Sequence, residues 1–279
     1  MSSGVTSPGD VDRTSEPAGV PAAIQLLLGR PGPNILRPGP PLVVPSEPEC
    51  LFCKKRAVPF ESEEHVISEG LMNDYFILPP GIVCDPCNHG PLSRLDHEFL
   101  GFPPVAFMRT WYGVPTKRGA QPEARLSNAR LFRREPNDVF IEPQGRKAVR
   151  RIPGGVQLNL QGRRMTGKYI AQIVRFLFKA TIESMVIDRG LEIARSPELD
   201  ELREIVLGAP FHGYLTLANQ ATPRPEVEFT HDTGRFLYGK RTIFAAIDAF
   251  GVEMYTDLLV RRPPLHPDDL RPDFSVITF

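Results

Sequence analysis

Cysteine is scarce in this chain of 279 residues: there are four, at positions 50, 53, 84 and 87, so nothing is left over once they are paired by proximity. Net charge is missing as well, since 33 Lys and Arg balance 33 Asp and Glu. No apolar run approaches the roughly 18 residues that a membrane-spanning helix needs, so no membrane partner is expected. The first stretch, MSSGVTSPGDVDRTSEPAG, lacks a charged n-region and an apolar h-region, so a signal peptide is not expected and a cytoplasmic location is. In a reducing compartment four thiols are better explained by a metal than by disulfides. No internal repeat is present at any period.

What is there is uneven. Residues 1–47 are rich in Pro, Gly and Ser, and GRPGPNILRPGPPLVVP (29–45) can hold neither a long helix nor a central strand. That segment reads as a flexible tail. Residues 48–108 carry all four cysteines, and from position 50 on hold 4 basic against 8 acidic residues. Residues 109–168 form a β-rich segment with 14 basic against 4 acidic residues. Here DVFIEP (138–143) and GVQLNLQG (155–162) read as strands with Pro153-Gly154-Gly155 as the turn between them. Residues 169–279 read as a helical and β C-terminal domain. Ile170, Ile173, Val174, Leu177, Phe178, Met185 and Val186 form one apolar helical stripe, with Gly190 as its C-cap. A second helix opens at Ser196-Pro197 and closes near Gly208. Strands follow at 213–218, 226–231, 235–239, 242–250 and 252–259. No site chemistry is expected in this part.

The cysteines stand as CLFC (50–53) and CDPC (84–87). Zinc takes four thiolates in a tetrahedron, and a Cys-x-x-Cys turn supplies two of them, so two such turns complete a closed structural site. A closed site offers no open position to a substrate; this metal is expected to hold the fold and do no chemistry. GIVC (81–84) is expected to be a short strand into the second pair, and GPLSRLDHEFLG (90–101) a helix carrying Leu92, Leu95 and Phe99 at its inner spacing.

Between the pairs stands EEHVISEGLMND (63–74), and directly after the second pair comes NHG (88–90). Together these pieces resemble the HNH endonuclease family in its zinc-ribbon form: a Cys pair, an acidic residue and His followed by apolar residues, a loop, then a second Cys pair followed by His or Asn. The resemblance covers about 60 residues. It implies an α+β fold, a zinc-stapled ββα-metal module followed by a mixed helix and sheet domain, and hydrolysis of phosphodiester bonds in DNA. It gives His65 the part of general base and places a divalent ion, Mg²⁺ or Mn²⁺, on Glu64 and Asn88. His89, next to Asn88, is the alternative ligand, because the family more often has His there. The family's middle Asn, which orients the base, matches Asn73 loosely. Each residue also has a plainer reading: His65 as a buried structural histidine, Glu64 as one of a solvated acidic group, Asn88 as a helix cap.

A nuclease needs affinity for phosphates beyond its catalytic ion. ARLFRRE (129–135), GRKAVRR (145–151) and GRRMTGK (162–168) offer Arg133, Arg134, Arg146, Lys147, Arg150, Arg151, Arg163 and Arg164 as nucleic-acid contacts. The competing expectation is a non-catalytic zinc-ribbon protein that binds nucleic acid or serves as an adaptor. A protein partner is conceivable through the N-terminal tail or the C-terminal domain.

Overall fold

The computed structural model describes residues 42–73, 76–135, 138–145, 148–159, 161, 165–219, 227–237, 240–249, 252–257 and 274–278, all within the compact unit Asn34–Phe279. The expected tail therefore lies outside the described residues up to position 41, as do Arg146, Lys147, Arg163 and Arg164. The architecture is mixed α+β, with small antiparallel sheets and helices around one buried core.

The chain enters through the first cysteine turn. Cys50 N donates to Lys55 O at 2.9 Å and Lys54 N to Cys50 O at 3.1 Å. Lys54 takes a left-handed conformation, φ 58°, to close that turn. Strands β1 (Glu64–His65) and β2 (Ile77–Leu78) then pair antiparallel, Glu64 opposite Leu78 and His65 opposite Ile77. The loop joining them holds a single 3₁₀ turn, Glu69–Leu71, capped by the Ser68 hydroxyl.

Residues 81–84 do not form the expected strand. Ile82 and Val83 are fully buried in a bend, and Ile82 O accepts from Leu51 N at 2.9 Å. One cysteine turn is thereby fastened to the approach to the other, which leaves no partner strand for these apolar residues. Helix α1 (Asp85–Cys87) starts at once, passes through a π turn over Asn88–Leu92, and continues as α2 (Ser93–Leu100). Pro91 lies inside that turn. It has no N–H to give, and the wider turn absorbs the missing bond.

A helix not foreseen from the sequence, α3 (Pro103–Tyr112), spans positions 108 and 109, where the composition changes. Its two leading prolines suit the first helical turn, where N–H groups have no partner anyway. Gly113 ends it at φ 69°, and a side chain there would meet the Arg133 guanidinium at 3.1 Å.

Strands β3 (Glu123–Arg125), β4 (Ala129–Arg133) and β5 (Val139–Pro143) make a three-stranded sheet. Strands β6 (Val149–Ile152) and β7 (Gly155–Leu158) make a separate hairpin. The Pro153-Gly154 turn thus joins β6 to β7, not β5 to β7. The basic side chains of residues 149–152 hide that strand's period.

Helix α4 (Gly167–Arg189) matches the expected stripe and ends at Gly190, but it is buried nearly all round rather than on one face. Phe176 stacks on Phe99 of α2 with ring centroids 4.0 Å apart. Short α5 (Leu191–Ala194) and α6 (Asp200–Leu207) follow, the latter closed by left-handed Gly208. Strands β8 (Tyr214–Asn219), β9 (Val227–Leu237), β10 (Lys240–Ala249), β11 (Val252–Asp257) and β12 (Phe274–Thr278) form a five-stranded sheet in the order β12-β8-β11-β10-β9. Residues 227–237 are one long strand where two are expected, and β12 has no counterpart among the expected strands. Leu215, Ala245, Ile247, Val252 and Met254 of this sheet share the core with α4 and with the cysteine-bearing part. Among the described residues no helix is long and apolar enough to cross a membrane.

Candidate metal centre and adjoining cleft

The sulfur atoms of Cys50, Cys53, Cys84 and Cys87 all lie within 4.8 Å of one another. Zinc–sulfur bonds of about 2.3 Å set tetrahedral sulfur atoms about 3.8 Å apart, so the spacing suits one ion. Cys53 Sγ and Cys84 Sγ are 3.6 Å apart, and none of the four is in a disulfide. The thiols cannot all ionise alone. A hydrogen bond from Cys87 holds the Cys50 thiol down to about 5, while burial pushes the Cys84 thiol up to about 12. A divalent cation removes that conflict by neutralising all four thiolates. The cluster is compatible with a structural zinc. Among the described residues it is the one group of three or more Cys, His, Asp or Glu drawn together closely enough to hold a metal.

Beside it opens a cleft of about 1060 Å³, lined among others by Glu64, His65, Asn88, His89, Asp96 and His97. Asn88 and His89 stand one and two residues past Cys87, on the π turn. Asn88 Nδ2 donates to Glu63 O at 2.8 Å, which leaves its carbonyl oxygen for another partner. His89 Nε2 lies 3.0 Å from the Ser62 hydroxyl. Both expected alternatives for the ion therefore border the same space as His65. Burial holds the His65 imidazole below its usual pKa, and Lys117 and Lys179 push the same way against Glu69 and Asp96. Its neutral form is favoured near pH 7.

Asn73 does not line the cleft. It is buried, its amide donates to Ile67 O at 2.5 Å, and its carbonyl accepts from Phe76 N at 3.0 Å. It ties together the two ends of the β1–β2 loop, and Val66 N to Phe76 O closes the hairpin beside it at 3.0 Å. Its part is to hold the strand that carries His65.

Glu64 is not one of a solvated acidic group: it is 3% exposed, and its Oε1 lies 2.7 Å from Lys179 Nζ. Lys179 and Glu183, both on α4, are 0% exposed, and Lys179 reaches the Glu64 carboxylate and the His65 carbonyl of β1. Residues 169–279, read from the sequence as free of site chemistry, thus supply Lys179, whose Nζ reaches Glu64 Oε1 and His65 O. Lys179 and Glu183 stand one turn apart and interrupt the helix's run of apolar residues, and that is the signal the sequence offers. Burial alone would lower the Lys179 ammonium, but Asp96, Glu183 and Glu64 outweigh it and hold it well above its usual range. Burial keeps the Glu183 carboxyl well up, and among the described residues neither of its oxygens has a hydrogen-bond partner, Lys179 Nζ standing 3.5 Å away.

Burial also raises Asp96 to about 6, against the pull of Lys179. An unfolded Asp titrates near 3.9, so the folded chain binds the extra proton more tightly between those values. The stabilising effect is full below about pH 4 and is lost as pH rises through about 6, a span worth about 3 kcal/mol at most. Denaturant unfolding of wild type and Asp96→Asn at matched pH values from 4 to 6.5 is expected to show this slope only in the wild type.

The basic block is partly spent on the fold. Arg133 Nε donates to Thr110 O at 2.8 Å, and a second nitrogen reaches Trp111 O, which caps the carbonyl end of α3. Arg134 lies over the rings of Phe132 and Phe140, 5.8 and 5.0 Å from their centroids. Arg150 and Arg151 on β6 are exposed. Lys117 and Arg125, which carry no motif in the sequence, line the cleft itself.

No family model, curated protein or solved structure matches this chain.

Proposed function

We propose that the protein is a metal-dependent endonuclease of HNH type that hydrolyses phosphodiester bonds in DNA. The observation that carries this reading is the placing of His65, Asn88 and His89 around one open cleft, on a strand–strand–helix run fastened by four clustered cysteines. A zinc ion on Cys50, Cys53, Cys84 and Cys87 is the staple in this reading. Glu64 and Asn88, with His89 as the alternative to Asn88, are the groups that would hold Mg²⁺ or Mn²⁺. Oxygen and imidazole donors of this kind suit a hard cation that keeps several of its waters. Bound there, the ion supplies positive charge to the scissile phosphate and to the leaving oxygen.

His65 acts as the base. A neutral imidazole accepts the proton of the attacking water as the water oxygen bonds to phosphorus and the P–O bond to the leaving group breaks. Asn73 holds the loop behind it. Arg150 and Arg151, with Lys117 and Arg125 at the cleft, meet the phosphates on either side. Incubation of the zinc-loaded protein with supercoiled plasmid is expected to give nicked or linear DNA with Mg²⁺ or Mn²⁺ and none with a chelator that spares the zinc. Intact plasmid under all these conditions would refute the reading.

A second reading, a zinc-ribbon protein that binds nucleic acid without cutting, draws on the Lys179–Glu64 pair, since the carboxylate already has a cation. It predicts binding in full and no products.

Both readings require that basic side chains meet phosphates. Reversing Arg150 and Arg151 to Glu is expected to weaken DNA binding. The slope of log affinity against log salt should fall by about one for each phosphate that is no longer neutralised. An unchanged slope in a salt titration would move the interface elsewhere.

A further inference from the structure

We propose that Lys179 is the positioning residue of the cleft: one buried ammonium sets Glu64, Asp96 and the main chain of His65 in a single frame. The proposal rests on the reading above, in which Glu64 holds the ion and His65 takes the proton. An ammonium has three protons. Those of Lys179 have three acceptors in reach: Glu64 Oε1 at 2.7 Å, His65 O at 2.8 Å and Asp96 Oδ1 at 3.0 Å. Glu183, one turn along the same helix, stands at 3.5 Å, and among the described residues neither of its oxygens is hydrogen-bonded. The lysine thus makes its shortest contacts away from its own helix, across 114 residues of sequence to β1, with Glu183 as the more distant partner.

Such a cluster is a poor way to stabilise a fold. Apolar side chains of the same shape do as well or better than a buried ion pair, so the gain lies in arrangement. Two cleft residues on β1 and one on α2 are pinned to the same point. Glu64 borders the cleft with one oxygen already held, so its carboxylate has one orientation before any ion arrives. A ligand held in this way by a neighbouring group binds metal more tightly than a loose one, commonly by 10- to 100-fold.

The test uses the full, zinc-loaded chain without DNA and follows Mn²⁺ uptake by the loss of the free-Mn²⁺ electron-spin signal. Wild type is expected to bind, and Lys179→Met to bind at least tenfold more weakly. Lys179→Met leaves buried carboxylates unpaired and can fail to fold, so the pair Lys179→Met/Asp96→Asn, which removes the surplus negative charge, carries the test in that case. The double variant is expected to regain thermal stability without regaining Mn²⁺ affinity. Affinity that returns together with stability would mean a structural lysine and overturn the proposal. Binding as tight as wild type, or tighter, in either variant would overturn it too, the latter by showing that the ammonium competes with the ion. A wild type that takes up no Mn²⁺ would overturn the ion-holding function itself and the proposal with it. That outcome is told apart from the others because it needs no variant.

Discussion

Replacing Cys84 by serine is expected to unfold the cysteine-bearing part of the chain, and the cleft with it, rather than to slow a reaction. Cys84 is 0% exposed and is the residue from which α1 starts. Cys87 N and Asn88 N both donate to its carbonyl at 3.0 Å, so its position sets that of Asn88. The other cysteine turn is fastened to the same place by Leu51 N to Ile82 O. Leu51, Phe52, Val66, Leu78 and Ile82 of this part are buried in the shared core, but its two strands have only two residues each, so few ladder bonds hold it beside the cysteine turns. A structural zinc contributes roughly 10–16 kcal/mol in small thiolate domains, as much as the whole stability of an ordinary domain. Loss of one thiolate therefore exceeds what the surrounding packing can replace. Zinc content and thermal unfolding of the same preparation check this. About one zinc per wild-type chain, with its loss and a large fall in Tm in Cys84→Ser, is the expected result. Retained fold without zinc would contradict it.

The cysteine cluster is legible in the sequence because its signal is arithmetical: two equal spacings, and no cysteine unassigned. The long helix α4 and its glycine stop are legible because periodicity and capping agree there. The helix over Pro103–Tyr112 is hidden by its two prolines and by β-branched and aromatic residues, which carry weak helix preference although the prolines suit a first turn. The strand at residues 149–152 is hidden by its arginines, which read as a phosphate patch and not as one face of a hairpin. Around the cleft, His65, Asn88 and His89 border one space. The plainer reading of Glu64, as a solvated carboxylate, arises because the residue that pairs with it, Lys179, lies more than a hundred positions away. Long-range pairing of this kind leaves no local trace beyond a lysine and a glutamate set among the apolar residues of a long helix. Arg133 shows the same limit: a guanidinium that caps a helix is indistinguishable in sequence from one that faces DNA.

His65 bears the central claim. The imidazole contributes little to the fold, since β1 is held through main-chain bonds, with His65 opposite Ile77 and its carbonyl on Lys179. His65→Ala is therefore expected to keep its zinc and its affinity for DNA, with a Tm within a few degrees of wild type, where about 2–4 °C corresponds to 1 kcal/mol in larger domains. A general base contributes about 10²–10⁴-fold to rate, and in this account no other cleft residue takes the part of His65. The decisive measurement is the rate of plasmid cleavage in Mg²⁺ or Mn²⁺ for wild type and His65→Ala, with Tm and zinc content determined on the same samples. The account predicts cleavage by wild type and a loss of at least about 10²-fold in the variant while Tm and zinc stay put. Equal rates in the two proteins, or a loss that tracks a fall in Tm and zinc, would contradict it.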